Sequence, residues 1–174
     1  MPKLSVPVGK QDHIQGSDSA ACTLVEYGDY QCPSCREAFA HVHRVQKHFG
    51  DKLRFVFRNF PLEQHEFAEP AAETAEFAAS QGKFWEMHDA LYREQPKLSD
   101  AFLGELAARL ALDTKALETA LEQGTFAGRV ETDLESGEKS GVEGTPTFYV
   151  NGQQHSGAYD AASLIEAIDA AMGG

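Results

Sequence analysis

The stretch Tyr30-Gln31-Cys32-Pro33-Ser34-Cys35-Arg36 places two thiols with two residues between them. That spacing suits three chemistries: a reversible disulfide, half of a metal site, or two thiols with no joint role. A thiol becomes a nucleophile or a ligand only as thiolate, so the neighbours of the pair decide. Pro33 fits the first position of a helix, where its missing N–H costs nothing, and this puts Cys32 at the helix N-terminus. The exposed N–H groups and the dipole at that point stabilise an anion. Cys35 then lies one turn inward on the same side, within disulfide reach. Cys32 is the sulfur placed to attack a substrate, and Cys35 the one placed to resolve the mixed disulfide. Ser34 supplies a small hydroxyl near the thiolate and no positive charge.

The metal reading has less behind it. A structural zinc site usually takes about four ligands, from two Cys-x-x-Cys pairs or from one such pair with a His pair. The chain has 3 Cys, and the third, Cys22, stands alone. His41, His43 and His48 follow the cysteines within one helical stretch, so most of them point away from the thiols. Cys22 reads as a small buried filler, with a redox partner or an intermolecular disulfide as the alternatives.

Two further features sit at a distance in sequence. Glu26 interrupts TLVEY (residues 23–27), a short β-branched run that reads as a strand. Buried there, its pKa would rise and it could pass protons to and from the cysteines; the alternative is a carboxylate near a solvated strand end. Thr145-Pro146-Thr147 precedes a strand that should be central, where Pro cannot join a ladder. A cis bond before Pro146 would account for it.

The elements that must hold these residues can be read in order. After the strand at 23–27 and a turn at 28–31, a helix runs from Pro33 to a stop at Gly50, with Lys47 and His48 suiting its C-terminal end. In KLRFVFRNF (residues 52–60), Leu53, Phe55 and Phe57 alternate against Lys52, Arg54 and Arg58, a strand pattern closed by Pro61. This strand–helix–strand unit puts Cys32 at a strand end and a helix head. The middle of the chain is helical at about 67–80, 84–92 and 126–139, with Phe102, Leu106 and Leu110 on one repeat and Leu117 and Leu121 on another after an N-cap at Asp113. No strand interrupts it, so it reads as a helical block inserted as a lid or packing layer. Near the end, TFYV (147–150) and a strand near 154–157 flank Asn151-Gly152, a strong hairpin signal. A closing helix carries Leu164, Ile168 and Met172 on one face.

Composition narrows the class. The 174 residues carry 42% hydrophobic and 24% charged side chains and a net charge of -12, with 15 Lys plus Arg against 27 Asp plus Glu. A nucleic-acid binder would show a basic excess or face. No apolar run approaches the ~18 residues needed to span a bilayer. The first residues, MPKLSVPVGKQDHIQGSDSAAC, contain no apolar stretch of the secretory kind. The expected location is therefore cytoplasmic, or exported if a removed signal preceded this start.

Taken together, VEYGDYQCPSC (25–35), FRNFPL (57–62), AAETAEFAASQGKFWEMHDALY (71–92) and GTPTFYVNG (144–152) give the chain a resemblance to the DsbA-like branch of the thioredoxin superfamily, the thiol:disulfide oxidoreductases. The resemblance covers nearly the whole chain. It implies an α/β, thioredoxin-like fold in one domain over 1–174, with the core at about 12–62 and 141–174 and the helical insertion at about 63–140. It also implies roles: Cys32 as attacking and Cys35 as resolving cysteine, Glu26 as the buried acid, and Pro33 and Ser34 as the intervening dipeptide. Pro146 matches the cis-proline beside the disulfide, and Thr145 the residue whose backbone contacts bound peptide. Strongly oxidising members often carry His where Ser34 stands, so a less stabilised thiolate and a less oxidising pair are expected here. The expected partners are protein thiols or disulfides and a recycling redox partner, with no nucleic acid, no membrane span and no cofactor beyond the Cys32–Cys35 pair. The rival readings are a glutathione-using enzyme of the same fold and a non-catalytic, chaperone-like or metal-holding module.

Overall fold

A computed structural model describes residues 2–173. The apolar run CTLVEYG forms β2 (Cys22–Gly28), and every residue of it but Thr23 is buried. β2 pairs in parallel with β3 (Leu53–Asn59) on one side and antiparallel with β4 (Thr147–Val150) on the other. Such a central strand has no solvated face, and its near-continuous hydrophobic sequence follows. Two short edge strands, β1 (His13–Gln15) and β5 (Gln153–Gln154), complete the order β1-β3-β2-β4-β5. The β1 strand was not expected, because three residues are too few to show a period. β5 is shorter and earlier than the expected 154–157. It is joined to β4 through Asn151 and Gly152, both at positive φ, as a tight hairpin demands.

Between β2 and β3 runs α1 (Pro33–Phe49), which buries Cys35, Ala38, Val42, Val45 and Phe49 against the sheet. Five helices then separate β3 from β4: α2 (Ala68–Ser80), α3 (Phe84–Arg93), α4 (Asp100–Arg109), α5 (Thr114–Gln123) and α6 (Ala127–Lys139). Asp113 caps α5 by accepting from the Ala116 N–H, as its residue type suggests. The last helix among the described residues is α7 (Ala161–Ala171), which returns Leu164 and Ile168 to the core.

The sheet separates two apolar cores. On the face of Leu24, Phe55, Phe57 and Phe148 lie α1, α7 and most of the helical block. On the other, Val25, Tyr27, Val56 and Tyr149 pack with Phe60 and Val142. Arg58 departs from the alternation read in β3: it is buried, not on a solvated face. Asp12 pairs with its guanidinium at 2.8 Å and the Tyr27 hydroxyl accepts from its Nη1 at 2.8 Å. A buried charge survives when it is paired and hydrogen-bonded in this way.

Gly104 lies inside α4 with open space where a β-carbon would stand. Gly104→Ala is expected to raise stability by about 0.5–1 kcal/mol, read as a higher urea midpoint at unchanged slope. A lower midpoint would mean that this helix face is closed.

Candidate active site

The turn between β2 and α1 is held from several directions. Asp29 is fully buried; its Oδ1 accepts from the Gln31 N–H at 2.7 Å, and its Oδ2 from the Leu62 N–H at 2.9 Å. The same Oδ2 meets His65 Nδ1 at 2.7 Å. From the helical block, Gln95 Nε2 donates to the carbonyls of Tyr30 (2.8 Å) and Cys32 (2.9 Å). Tyr30 in turn hydrogen-bonds His88 Nδ1 at 2.8 Å. Burial lowers the His88 pKa well below the usual imidazole value, so that side chain is neutral. The helical insertion thus clamps the loop that presents Cys32.

Cys32 is the N-cap of α1, with Pro33 following at the head of the helix. Its backbone is extended, as an N-cap requires. Cys32 is 6% exposed and Cys35 0%, so one sulfur touches the surface and the other does not. The Thr145–Pro146 peptide bond is cis, and the Thr145 carbonyl accepts from the Cys32 thiol at 3.6 Å. Glu26, Cys32, Cys35, Thr145 and Pro146, scattered through the sequence, therefore meet at the ends of β2, α1 and β4.

The two thiols have opposite electrostatics. A hydrogen bond from the Cys35 thiol, helped by Thr145 and by the N–H groups of Cys35 and Ser34, lowers the Cys32 pKa to about 5 against the effect of burial. Burial, with the neighbouring Cys32 and Glu26 charges, raises that of Cys35 well above the usual thiol value. The Thr145 hydroxyl is buried with no partner, which leaves its proton to turn toward a Cys32 thiolate. Serine between the cysteines was expected to leave the thiolate less stabilised than in strongly oxidising members. Ser34 contributes its backbone N–H, and Cys35 and Thr145 supply larger shares. The resulting value falls between that of thioredoxin, about 7, and that of DsbA, about 3.5.

Glu26 is 2% exposed and sits opposite Phe57 on β3 and Phe148 on β4. The solvated-edge alternative is thereby overturned. Burial, and next the Cys32 thiolate charge, push its pKa up to about 8. Its Oε2 and the Tyr92 hydroxyl are both buried without partners. Both face Gly28: a β-carbon there would stand 2.9 Å from the Tyr92 oxygen and 3.0 Å from Glu26 Oε2. It would also stand 2.6 Å from Phe57 Cε1, so glycine at 28 is what lets these side chains close over the strand end.

Cys22 is buried at the far end of β2, and burial raises its pKa to about 11. His43 and His48 are exposed, and no group of three or more metal-ligating side chains forms among the described residues. Asp29, His88, Tyr92 and Gln95 were given no site role by the sequence, although His88 and Tyr92 lie in the stretch 71–92. Their roles come from contacts between the helical block and the 29–32 turn, which no local pattern encodes.

A dithiol at the head of the helix that follows a central strand, beside a cis-proline, defines the thioredoxin-like class of α/β proteins. Within it, the chain belongs to the thioredoxin family, whose family model, described as Thioredoxin, matches residues 9–170. Its fold is DsbA-like. It superimposes on BdbD from Bacillus subtilis (oxidised) with a TM-score of 0.88, at 29% identity and over 99% of both chains. A thioredoxin-like oxidoreductase from Silicibacter pomeroyi matches at a TM-score of 0.81 and 28% identity, over 95% of both chains. In sequence it is 40% identical, over 98% of its length, to Na(+)/H(+) antiporter NhaA 1 of Mycolicibacterium gilvum (strain PYR-GCK), but spans only 28% of that protein. The chain spans about a quarter of the length of the curated relatives it matches, so their name describes far more than the shared stretch. No helix among the described residues is long and apolar enough to cross a membrane.

Proposed function

We propose that this protein exchanges disulfides with protein thiols through Cys32 and Cys35. The observation that carries the reading is the division of labour between a slightly exposed, acidified Cys32 and a fully buried, protonated Cys35. In the oxidised enzyme a substrate thiolate attacks Cys32 Sγ. The new sulfur–sulfur bond forms as the Cys32–Cys35 bond breaks, and Cys35 leaves with the electron pair and takes a proton supplied by Glu26. A second substrate thiolate then attacks the substrate sulfur of the mixed disulfide, and Cys32 leaves as thiolate. The substrate ends with one disulfide and the enzyme with two reduced cysteines, so the pair itself carries both electrons. The reverse sequence reduces a substrate disulfide.

A stabilised Cys32 thiolate favours the dithiol enzyme as product, and hence oxidation of substrates. That direction suits an oxidising compartment better than the cytoplasm first expected. The position of Thr145 beside Cys32, next to cis-Pro146, suits the backbone of an extended substrate peptide. Glutathione as obligatory substrate and a purely structural role are the alternatives this reading displaces.

Thiolate absorbance of the reduced enzyme is expected to titrate near pH 5 for one sulfur, and equilibrium with glutathione should leave the dithiol form dominant. A first thiol titrating near the free value of about 8.5 would remove the basis for the oxidising direction.

A further inference from the structure

The helical block is fastened to the redox helix at one corner. There α3 ends beside α1, and Arg36 donates from Nε to the Tyr92 carbonyl and from Nη2 to the Arg93 carbonyl, both at 3.0 Å. These are carbonyls that a helix end leaves short of partners. A single 3-10 turn, Gln95–Lys97, follows. It is closed by the Lys97 N–H on the Glu94 carbonyl at 2.9 Å and the Leu98 N–H on the Gln95 carbonyl at 3.1 Å. Glu94 pairs across it with Lys97 and Arg109. Gln95 is the buried residue of this turn.

Both hydrogens of the Gln95 amide are used on the redox loop, at 2.8 Å from the Tyr30 carbonyl and 2.9 Å from the Cys32 carbonyl. Two carbonyl acceptors require the nitrogen of the amide to face them. The Cys32 carbonyl has further suitors: the Cys35 and Arg36 N–H groups each lie 3.1 Å from it. A carbonyl has two lone pairs, so three donors compete there. The Cys35 N–H also has a second acceptor, since it is one of the groups that stabilise the Cys32 thiolate. An N–H divided in this way, as is common at helix ends, leans toward the acceptor that is less satisfied. With Gln95 and Arg36 on the carbonyl, the acceptor left short is the sulfur.

We propose that Gln95 is a positioning residue of the redox site: by occupying the Cys32 carbonyl it leaves the Cys35 N–H to the Cys32 sulfur, and so makes the helical insertion part of what sets the oxidising strength of the pair. This role rests on the disulfide-exchange reading above and adds to it a residue whose hydrogen bonds go to backbone rather than to sulfur. The titratable and charged groups around the thiols are Glu26 from β2, Asp29 from the turn, Cys35 and Arg36 from α1, and Tyr92 from α3. The Thr145 side contributes a neutral carbonyl and hydroxyl. Gln95 is neutral as well, so exchanging it for another neutral side chain alters none of these charges. A change in Cys32 would then come from hydrogen-bond geometry.

Gln95→Met keeps the length of the side chain and removes both donors. Thiolate absorbance of the reduced variant is expected to place the Cys32 titration about one unit above that of wild type, roughly half the worth of a whole hydrogen bond to a charged group. Equilibrium with glutathione at about pH 7 should then move about tenfold toward the Cys32–Cys35 disulfide, because one unit is tenfold in the ionised dithiol. Thr74→Val is the control for a loosened helical block, since it deletes a buried hydroxyl that donates to the Pro70 carbonyl in α2. It should lower the urea midpoint and leave the Cys32 titration where it was. A lowered midpoint with an unmoved titration in Gln95→Met would overturn the proposal and leave Gln95 a structural tie. So would a shift in Thr74→Val as large as that in Gln95→Met. If Gln95→Met does not fold, the wild type decides: the Gln95 side-chain amide resonances should shift with the midpoint of the Cys32 thiolate, and an amide unmoved through that titration overturns the proposal. The wild-type midpoint itself tests the exchange reading, and the difference between variant and wild type tests the role of Gln95.

Discussion

Cys32→Ser is expected to reduce turnover with protein thiols or disulfides on the order of a thousandfold or more, because it removes the nucleophile and the one sulfur a substrate can reach. The fold should persist, since serine keeps the N-cap preference and needs no change in the turn held by Asp29 and Gln95. Far-ultraviolet dichroism and the urea midpoint check that point. Cys35→Ser separates the two sulfurs further. Cys32 can still form a mixed disulfide, but its resolution from within is lost, so the variant should accumulate covalent adducts with substrate that dissolve in dithiothreitol. Insulin reduction and oxidation of a dithiol peptide are the two assays. Activity retained in Cys32→Ser would sink the assignment. Adducts accumulating on Cys22 would point to another sulfur, against its burial and raised pKa.

How far this could be read from sequence depends on the range of the interactions. Cys32, Pro33 and Cys35 are legible because a helix start is a local event: a proline at the first position and a thiol just before it need no distant partner. Glu26 is legible as an anomaly, one carboxylate in a strand otherwise apolar, although only its opposition to Phe57 and Phe148 fixes its burial. The turn at Asn151-Gly152 is local as well. Arg58 misled because alternation reads a charged residue as solvated, while Asp12, 46 residues away in sequence, follows it into the interior. The acidity of Cys32 is only partly local. The dipeptide between the cysteines bears on it through the Ser34 N–H, while Thr145, 113 positions distant, shares in stabilising the thiolate. Gln95 and Tyr92 were invisible because what they do is set by the packing of an inserted helical block.

Glu26→Gln is expected to act in two ways that one structure explains. The Glu26 pKa rises from 4.5 to about 8, chiefly through burial. Between those values the folded protein keeps a proton that the unfolded chain has lost, so Glu26 makes stability fall as pH rises through that window. At about 1.4 kcal/mol per pH unit the whole effect amounts to a few kcal/mol. Glutamine, neutral throughout, removes it: urea midpoints of wild type and variant should nearly coincide at about pH 4.5 and separate in favour of the variant toward about pH 8. The oxidised protein is the form to use, because in the reduced form Cys32 works in the opposite sense. A disulfide carries no Cys32 charge, the smaller of the two causes, so burial alone acts there and the window closes below about pH 8. In the reduced form the Cys32 pKa falls from 9.0 to about 5, so the reduced protein gains stability as pH rises through that range. The cost of Glu26 is then matched by its use. In the oxidised enzyme it holds the proton that Cys35 needs as it leaves, and glutamine has none to give. Formation of the mixed disulfide should slow by about a hundredfold, the usual scale of a lost general acid, while the Cys32 titration stays within about one unit of wild type. Parallel stability curves from about pH 4.5 to about pH 8 would show that Glu26 is hydrated in solution. An unchanged rate would show that Cys35 takes its proton from elsewhere, with the Tyr92 hydroxyl, unpartnered and closed over the same Gly28, the next group to replace.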